Sequence, residues 1–427
     1  MSVVDEQTTQ PCPECGAEMR MDPRFTTWCT ECDWNVDPDA PEEGSGRFEK
    51  ARRARAHRDG ERLHTRMGDA ESAGGGGRLS LILVHAIACA VHAVTVVLTA
   101  VAAWCVVRGW GGLGVLLGLV LLLLAWTLRP RLSRLPQGGH VLGRDDAPAL
   151  YDVIDEVADV AGTRGVDLVV VDAEINASVT SCGLRGRRVL TLGLPLWEML
   201  GSQQRIALLG HELGHFSNGD TRRGLVVGTA YHSLLTWRYY LAPTADPTPV
   251  EMVVNLVYLV PRLLIRAVLL TLDRLTSGVH RRGEYLADSF AGRAGSTEAA
   301  ADLMDKLLVA ESAATTMRRE ANRPRAGRRR PGTATEGADN LWAVLAADVE
   351  SIPDHEYERR RRVGAARGHC VDSSHPPTHL RRERLLAAAP VPAAVVMSDE
   401  SERRISGELA GVRRLVAEGI LRDGIDG

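Results

Sequence analysis

The chain has 427 residues, enough for more than one domain. Its 51 Lys and Arg nearly cancel 54 Asp and Glu, and the net charge of −3 excludes a global field that would draw it to nucleic acid. Lys50 and Lys306 are its only lysines, a bias toward arginine that points to a GC-rich genome more than to a function.

The first element, over residues 1–40, is a pair of CxxC knuckles, Cys12-Pro-Glu-Cys15 and Cys29-Thr-Glu-Cys32. Four thiolates at this spacing suit one closed, tetrahedral structural zinc, and the segment reads as a zinc ribbon. Disulfides or a redox pair are the alternatives, and a cytosolic setting disfavours the first. No basic, aromatic-studded surface surrounds the knuckles, so nucleic acid is not an expected partner. Residues 41–78 follow as a basic linker containing a Gly74-to-Gly77 run.

Residues 79–107 and 109–128 contain no charged side chain. Each is long enough for the roughly 20 apolar residues that cross a hydrocarbon core, so 79–128 reads as a transmembrane helical hairpin. Arg66 and Arg78 precede it and Arg129, Arg131 and Arg134 follow it, which puts both ends in the cytosol. The first apolar stretch begins too late for a cleavable signal peptide.

Residues 129–390 carry the chemistry. Helical periodicity runs over 150–162, and 166–171 and 188–192 read as short strands. The expected fold is therefore mainly α with a small β-sheet, of the α+β class. His211-Glu-Leu-Gly-His215 then places two imidazoles four apart on one helical face, where both can meet one metal ion. Ser202 is the expected N-cap of that helix. Glu212 stands beside the site, placed to take a proton from water. Two histidines leave a catalytic zinc one protein ligand short. Glu284 can supply it, and Asp288, one turn on, can accept the outward N–H of a ligating histidine. Between these motifs lies a second hydrophobic hairpin, 224–242 and 252–272, with a kink expected at Pro261. Arg238, Arg262 and Arg266 interrupt it, so four membrane segments are expected, with the second pair lying on the surface as the alternative. Residues 391–427 read as a C-terminal surface helix.

Three separated segments together resemble the membrane-embedded zinc metallopeptidases of the HtpX heat-shock protease and CAAX prenyl protease type. They are His211-Glu-Leu-Gly-His215 with Asp220, Glu284-Tyr-Leu-Ala-Asp288, and Ser374-His375-Pro-Pro with Arg381, Arg382 and Leu385. Asn176-Ala177 is a weaker match, since Ser178 stands where those proteins have an aromatic residue. The resemblance implies a helical, integral-membrane, zincin-like metalloprotease domain with zinc on His211, His215 and Glu284 and Glu212 as general base. It further implies His375 at the oxyanion, Arg381 supporting the site with Arg382 its rival by position, and Asn176 on the substrate backbone. The implied activity is a zinc endopeptidase of the cytoplasmic (inner) membrane, multi-pass, with site and ribbon facing the cytosol. Its partners would be the lipid bilayer and an unfolded or membrane polypeptide in protein quality control. With the structural site, two zinc ions per chain are expected. The rival reading is a catalytically silent membrane scaffold that binds partners through its ribbon; the presence of Glu212 argues against it.

Overall fold

The computed structural model describes residues 8–38, 76–109, 112–130, 135–136, 138–183, 185–217, 220–244, 246–323, 333–367 and 376–424. Most of the expected linker, and the His375 segment, lie outside the described residues. The fold is mainly helical with small sheets, as expected.

At the N-terminus β1 (Thr8–Pro11) and β2 (Glu18–Met21) pair antiparallel and carry the knuckles. Next come α1 (Gly76–Arg108) and α2 (Leu113–Leu128), packed as a hairpin about Gly112 at φ 86°. Among the described residues α1 is the one unbroken helix long and apolar enough to cross a membrane. With 16 residues, α2 spans only about 24 Å, short of a ~30 Å hydrocarbon core.

The rest of the chain opens with β3 (His140–Leu142), α3 (Pro148–Val160), β4 (Leu168–Asp172), β5 (Ala177–Cys182) and β6 (Arg187–Gly193). The sheet order is β3-β4-β6-β5, with β4 and β6 parallel and β5 on an edge. The apolar runs of β4 and β6 were legible as strands. β3 and β5 were not, because one has three residues and the other, Ala-Ser-Val-Thr-Ser-Cys, is small, polar and half-buried. α4 (Leu194–Glu198) turns the chain into α5 (Ser202–Ser217), the helix of the histidine motif. Ser202 is not its N-cap. Gly201 takes that place, its carbonyl accepting from Arg205 N, while the Ser202 hydroxyl donates to Glu402 at 2.7 Å.

α6 (Asp220–Tyr240), α7 (Pro249–Val257) and α8 (Leu259–Gly295) follow. The expected kink is present as a 44° bend, but it falls at Tyr258 rather than at Pro261. A proline ring clashes with the carbonyl four residues back, which here belongs to Val257, so the helix breaks there. The bent pair α7 and the first half of α8 passes as a membrane span only when taken as one, and α6 does not pass. Of the four expected segments, one helix is thus long and apolar enough to cross a membrane, and a second meets that test only as a bent pair. α1, α6 and α8 share their own apolar cluster, including Val84, Ala88, Leu234, Trp237, Ile265 and Leu269.

The remaining helices are α9 (Thr297–Leu308), α10 (Ala310–Ala321), α11 (Thr333–Glu350), α12 (Asp354–Arg367), α13 (Thr378–Ala387) and α14 (Asp399–Asp423). The last falls within the expected C-terminal helical segment, and one of its faces is buried. Its Ile405, Leu409, Val412, Val416 and Ile420 are buried in the main core with Leu150, Ile154, Trp197, Leu209 and Trp342. Its Glu408 also accepts from the backbone N–H groups of Ala149 and Leu150 at the start of α3 (2.8 and 3.1 Å). The charges lie on its other face, a division that a helix of mixed composition makes every 3.6 residues.

Candidate metal centre

α5 is buried along almost its whole length, an uncommon place for two histidines and a glutamate. It lies directly against α8, and glycine makes that approach possible. A Cβ on Gly210 would meet Ala294 Cβ at 2.9 Å, and one on Gly214 would meet Ala287 Cα at 3.0 Å. These residues precede His211 and His215 by one position each, so the same periodicity that aligns the imidazoles aligns the close contact. The sequence offered this signal as glycines at i and i+4, but their meaning depends on what packs there.

Across that contact α8 delivers Glu284. Its Oε2 lies 3.6 Å from His211 Nε2, and its Oε1 lies 3.5 Å from His215 Nε2. One ligand atom from each of the three side chains falls within 4.8 Å of the others. Donors bound at 2.0–2.1 Å around a tetrahedral ion stand about 3.4 Å apart, so this donor set fits zinc in both chemistry and spacing. His211 and Glu284 are buried and His215 is half-buried. Glu212, on the same turn, is 6% exposed.

Behind the donors stands a second layer. Asp288 Oδ1 is 3.0 Å from His211 Nδ1, where a carboxylate accepting that N–H fixes the ring with Nε2 turned to Glu284. Arg381 of α13 grips the same carboxylate with both arms, Nη2 to Oδ1 at 2.6 Å and Nε to Oδ2 at 2.9 Å. Its Nη2 is nearly equidistant from both His211 ring nitrogens, 3.3 and 3.4 Å, and so follows neither lone pair. Burial opposes the charge on Asp288, but the Arg381 guanidinium overcomes it and holds the carboxyl well below the usual carboxylate range. Burial opposes the charge on Arg381 too, and Asp288 and Glu284 raise its pKa above the ordinary arginine value. Beside them the Tyr285 hydroxyl is pushed up to about 12 by burial and by Asp288. Such a doubly hydrogen-bonded pair, 2% exposed on each side, is costly to break from either end.

The structure therefore gathers His211, Glu212, His215, Glu284, Asp288 and Arg381. Of the two rival arginines it is Arg381 that reaches the cluster, since Arg382 points to Asp305 of α9, with Nε at 3.0 Å from that carboxylate. His375 lies outside the described residues. Asn176 does not reach the cluster; its Oδ1 accepts from Ala177 N at 2.9 Å at the start of edge strand β5. That strand packs beside α5. At the far end of the chain Cys12, Cys15, Cys29 and Cys32 form a second cluster, with Sγ atoms of Cys12 and Cys32 at 3.7 Å and of Cys15 and Cys29 at 3.5 Å. Thiolates around a tetrahedral zinc stand about 3.8 Å apart, and a disulfide would need about 2.05 Å.

Residues 145–389, more than half of the chain, match the sequence profile of Peptidase family M48. No curated protein and no solved structure matches.

Proposed function

The chain belongs to peptidase family M48, whose members are zinc-dependent peptidases, and from that premise we propose that it is a membrane-held endopeptidase that cuts extended or unfolded polypeptide. The observation that carries this reading is the His211, His215 and Glu284 donor set with Glu212 beside it and the buried Asp288–Arg381 pair behind it. These three donors would hold the zinc, which when bound supplies Lewis acidity toward the scissile carbonyl and lowers the pKa of water.

The chain's own groups supply the rest. Glu212 takes the proton of the attacking water and passes it to the leaving amine, so that no charged amide nitrogen has to depart. Its burial keeps bulk water from competing for that proton. Asp288 holds His211 in one tautomer, and Arg381 keeps Asp288 ionised so that it can do so. His375 is assigned to the oxyanion by its resemblance to the HtpX-type segment. Strand β5 lies at the edge of the sheet beside α5, where an extended peptide can add as a further strand; Asn176 at its start suits the backbone of such a peptide. This mode selects unfolded segments over folded surfaces.

The membrane reading rests on exposed apolar side chains. Trp104, Val107, Leu113, Trp126, Met252 and Val260 are each more than 60% exposed, on α1, α2, α7 and the first half of α8. A patch of this size needs a hydrocarbon solvent. Arg129 at the end of α2 and the arginines after the first half of α8 support a cytosolic orientation of the catalytic half by the positive-inside rule. Quality control of membrane proteins suits a site in that position.

The test is hydrolysis of casein by the purified protein in detergent, compared with Glu212→Gln. The reading expects cleavage that the variant loses and that a chelator abolishes. Equal cleavage by both forms removes Glu212 as the base, and no cleavage by a folded, zinc-loaded wild type favours the scaffold.

A further inference from the structure

The four-cysteine module is not a separate bead on the chain. It is fastened to α12, and α12 leads through the chain to α13, which carries Arg381. Arg359 of α12 donates Nη1 to Val36 O at 2.9 Å. Arg362 donates to Thr30 O at 2.6 Å and to Asp33 Oδ1 at 2.8 Å, and its guanidinium lies 5.0 Å from the Trp28 ring. Arg367 pairs with Asp37. From the other direction Arg24 reaches Ser351, just past the end of α11, donating to Oγ and O at 2.8 and 3.1 Å.

The groups that α12 grips belong to the second knuckle and the turn after it. That turn holds Asp33 and Asn35 at φ 59° and 57°, a conformation that side chains other than glycine adopt at a cost. The module's own apolar cluster is only Cys12, Met19 and Cys29 with Ala17 and Trp34, far too small to enforce such a turn. Four thiolates on one zinc can enforce it. The docking surface therefore exists only while the cysteines are held together.

α12 passes the constraint on. Arg359 lies between the ribbon and Glu356, which is fully buried and accepts from it twice at 2.7 Å. Arg361 donates to Asp305 Oδ2 at 2.8 Å, and the same carboxylate accepts from Arg382 of α13 at 3.0 Å. Arg382 adjoins Arg381, the residue that grips Asp288. The joint itself is open. A cavity of about 220 Å³ lies between the ribbon's Glu18, Met19, Arg20, Trp28 and Thr30 and His355 of α12. Ionic contacts around a cavity make an attachment that can release, unlike the dry packing of the main core.

We propose that residues 8–38, closed on zinc by Cys12, Cys15, Cys29 and Cys32, are an intramolecular clamp that holds α12, Asp305 and α13 where Arg381 can order the catalytic centre. Loss of the ribbon's metal then leaves the donors His211, His215 and Glu284 in the chain but releases the arginine behind them. This inference rests on the peptidase reading for its activity arm alone.

The experiment uses the full chain in detergent with two variants, Cys29→Ser, which opens the ribbon, and Arg362→Glu with Arg367→Glu, which leaves the cysteines intact and removes the dock. Zinc content, kcat and KM on casein, and amide hydrogen exchange in α12 and α13 are measured on each. Both variants should lose about tenfold in kcat with little change in KM and exchange faster in α12 and α13. The arginine variant should still bind two zinc ions, which separates undocking from failure of the ribbon to fold. Wild-type exchange and wild-type kcat in that variant would overturn the clamp. If the wild type cleaves nothing, the exchange comparison still decides the docking while the peptidase reading fails by itself.

Discussion

Among the described residues metal-ligand side chains gather in two places, and the two are built in opposite ways. The ribbon takes four cysteines from one short stretch, leaves Cys15 and Cys32 exposed, and surrounds them with almost no apolar core. The catalytic centre takes three ligands from two helices far apart in the chain, buries His211 and Glu284 and half-buries His215, and adds an ion pair behind them. Four thiolates complete a tetrahedral shell and need nothing further. Three donors leave a position for chemistry, and that position is useful only if the surrounding charges are fixed and shielded from water. A closed site can therefore be local and exposed, whereas an open one has to be built into a core.

Removing the base is the sharpest test of that contrast. Glu212→Gln should lower kcat by about 10³-fold while both zinc ions remain, as measured by casein turnover and metal analysis. A similar loss with the catalytic zinc absent would mean that Glu212 serves the metal's retention instead.

The ion pair comes next. Arg381→Met leaves the Asp288 carboxylate buried without its partner, and should cost about 3–5 kcal/mol in denaturant unfolding. It should also weaken zinc at the catalytic centre about 10–100-fold by competitive chelation, with the ribbon's affinity unchanged. Leu409→Ala supplies the control, since it touches neither cluster but empties a fully buried position of α14. It should cost about 3 kcal/mol with kcat unchanged.

The smallest effect is that of pH. The Asp288 pKa in the folded protein lies below its ordinary 3.8, so its contribution to stability is complete above that value and is lost as pH falls below it. The stability difference between wild type and Asp288→Asn should stay level from about pH 7 to about pH 5 and shrink only under more acid conditions. Thermal unfolding across that range would show it, and a decline already near neutral pH would contradict the buried pair.

Much of this was legible because helices convert spacing into facing. His211 and His215 at i and i+4, and Glu284 and Asp288 at the same interval, each announce one side of a helix by their spacing alone. Arg381 and Arg382 show where legibility stops. Neighbours on a helix point about 100° apart, so one reaches the catalytic centre and the other Asp305, and only the placement of α13 decides which. The same holds for α14, whose stripe from Ile405 to Ile420 could be read as amphipathic but not as part of the main core. The apolar helices were legible in composition but not in length, because Gly112 and Pro261 set where the helices break.

The sequence by itself determined the donor atoms, their order and their pairing along each helix, since local periodicity depends only on neighbouring residues. It also marked out the four cysteines, whose closure needs no distant partner. The meeting of Glu284 with the two imidazoles, the choice of Arg381 over Arg382 and the fastening of the ribbon to α12 were decided by tertiary structure. Each depends on two backbones approaching closely, as at Gly210 and Gly214, and such an approach is set by everything packed around both helices at once.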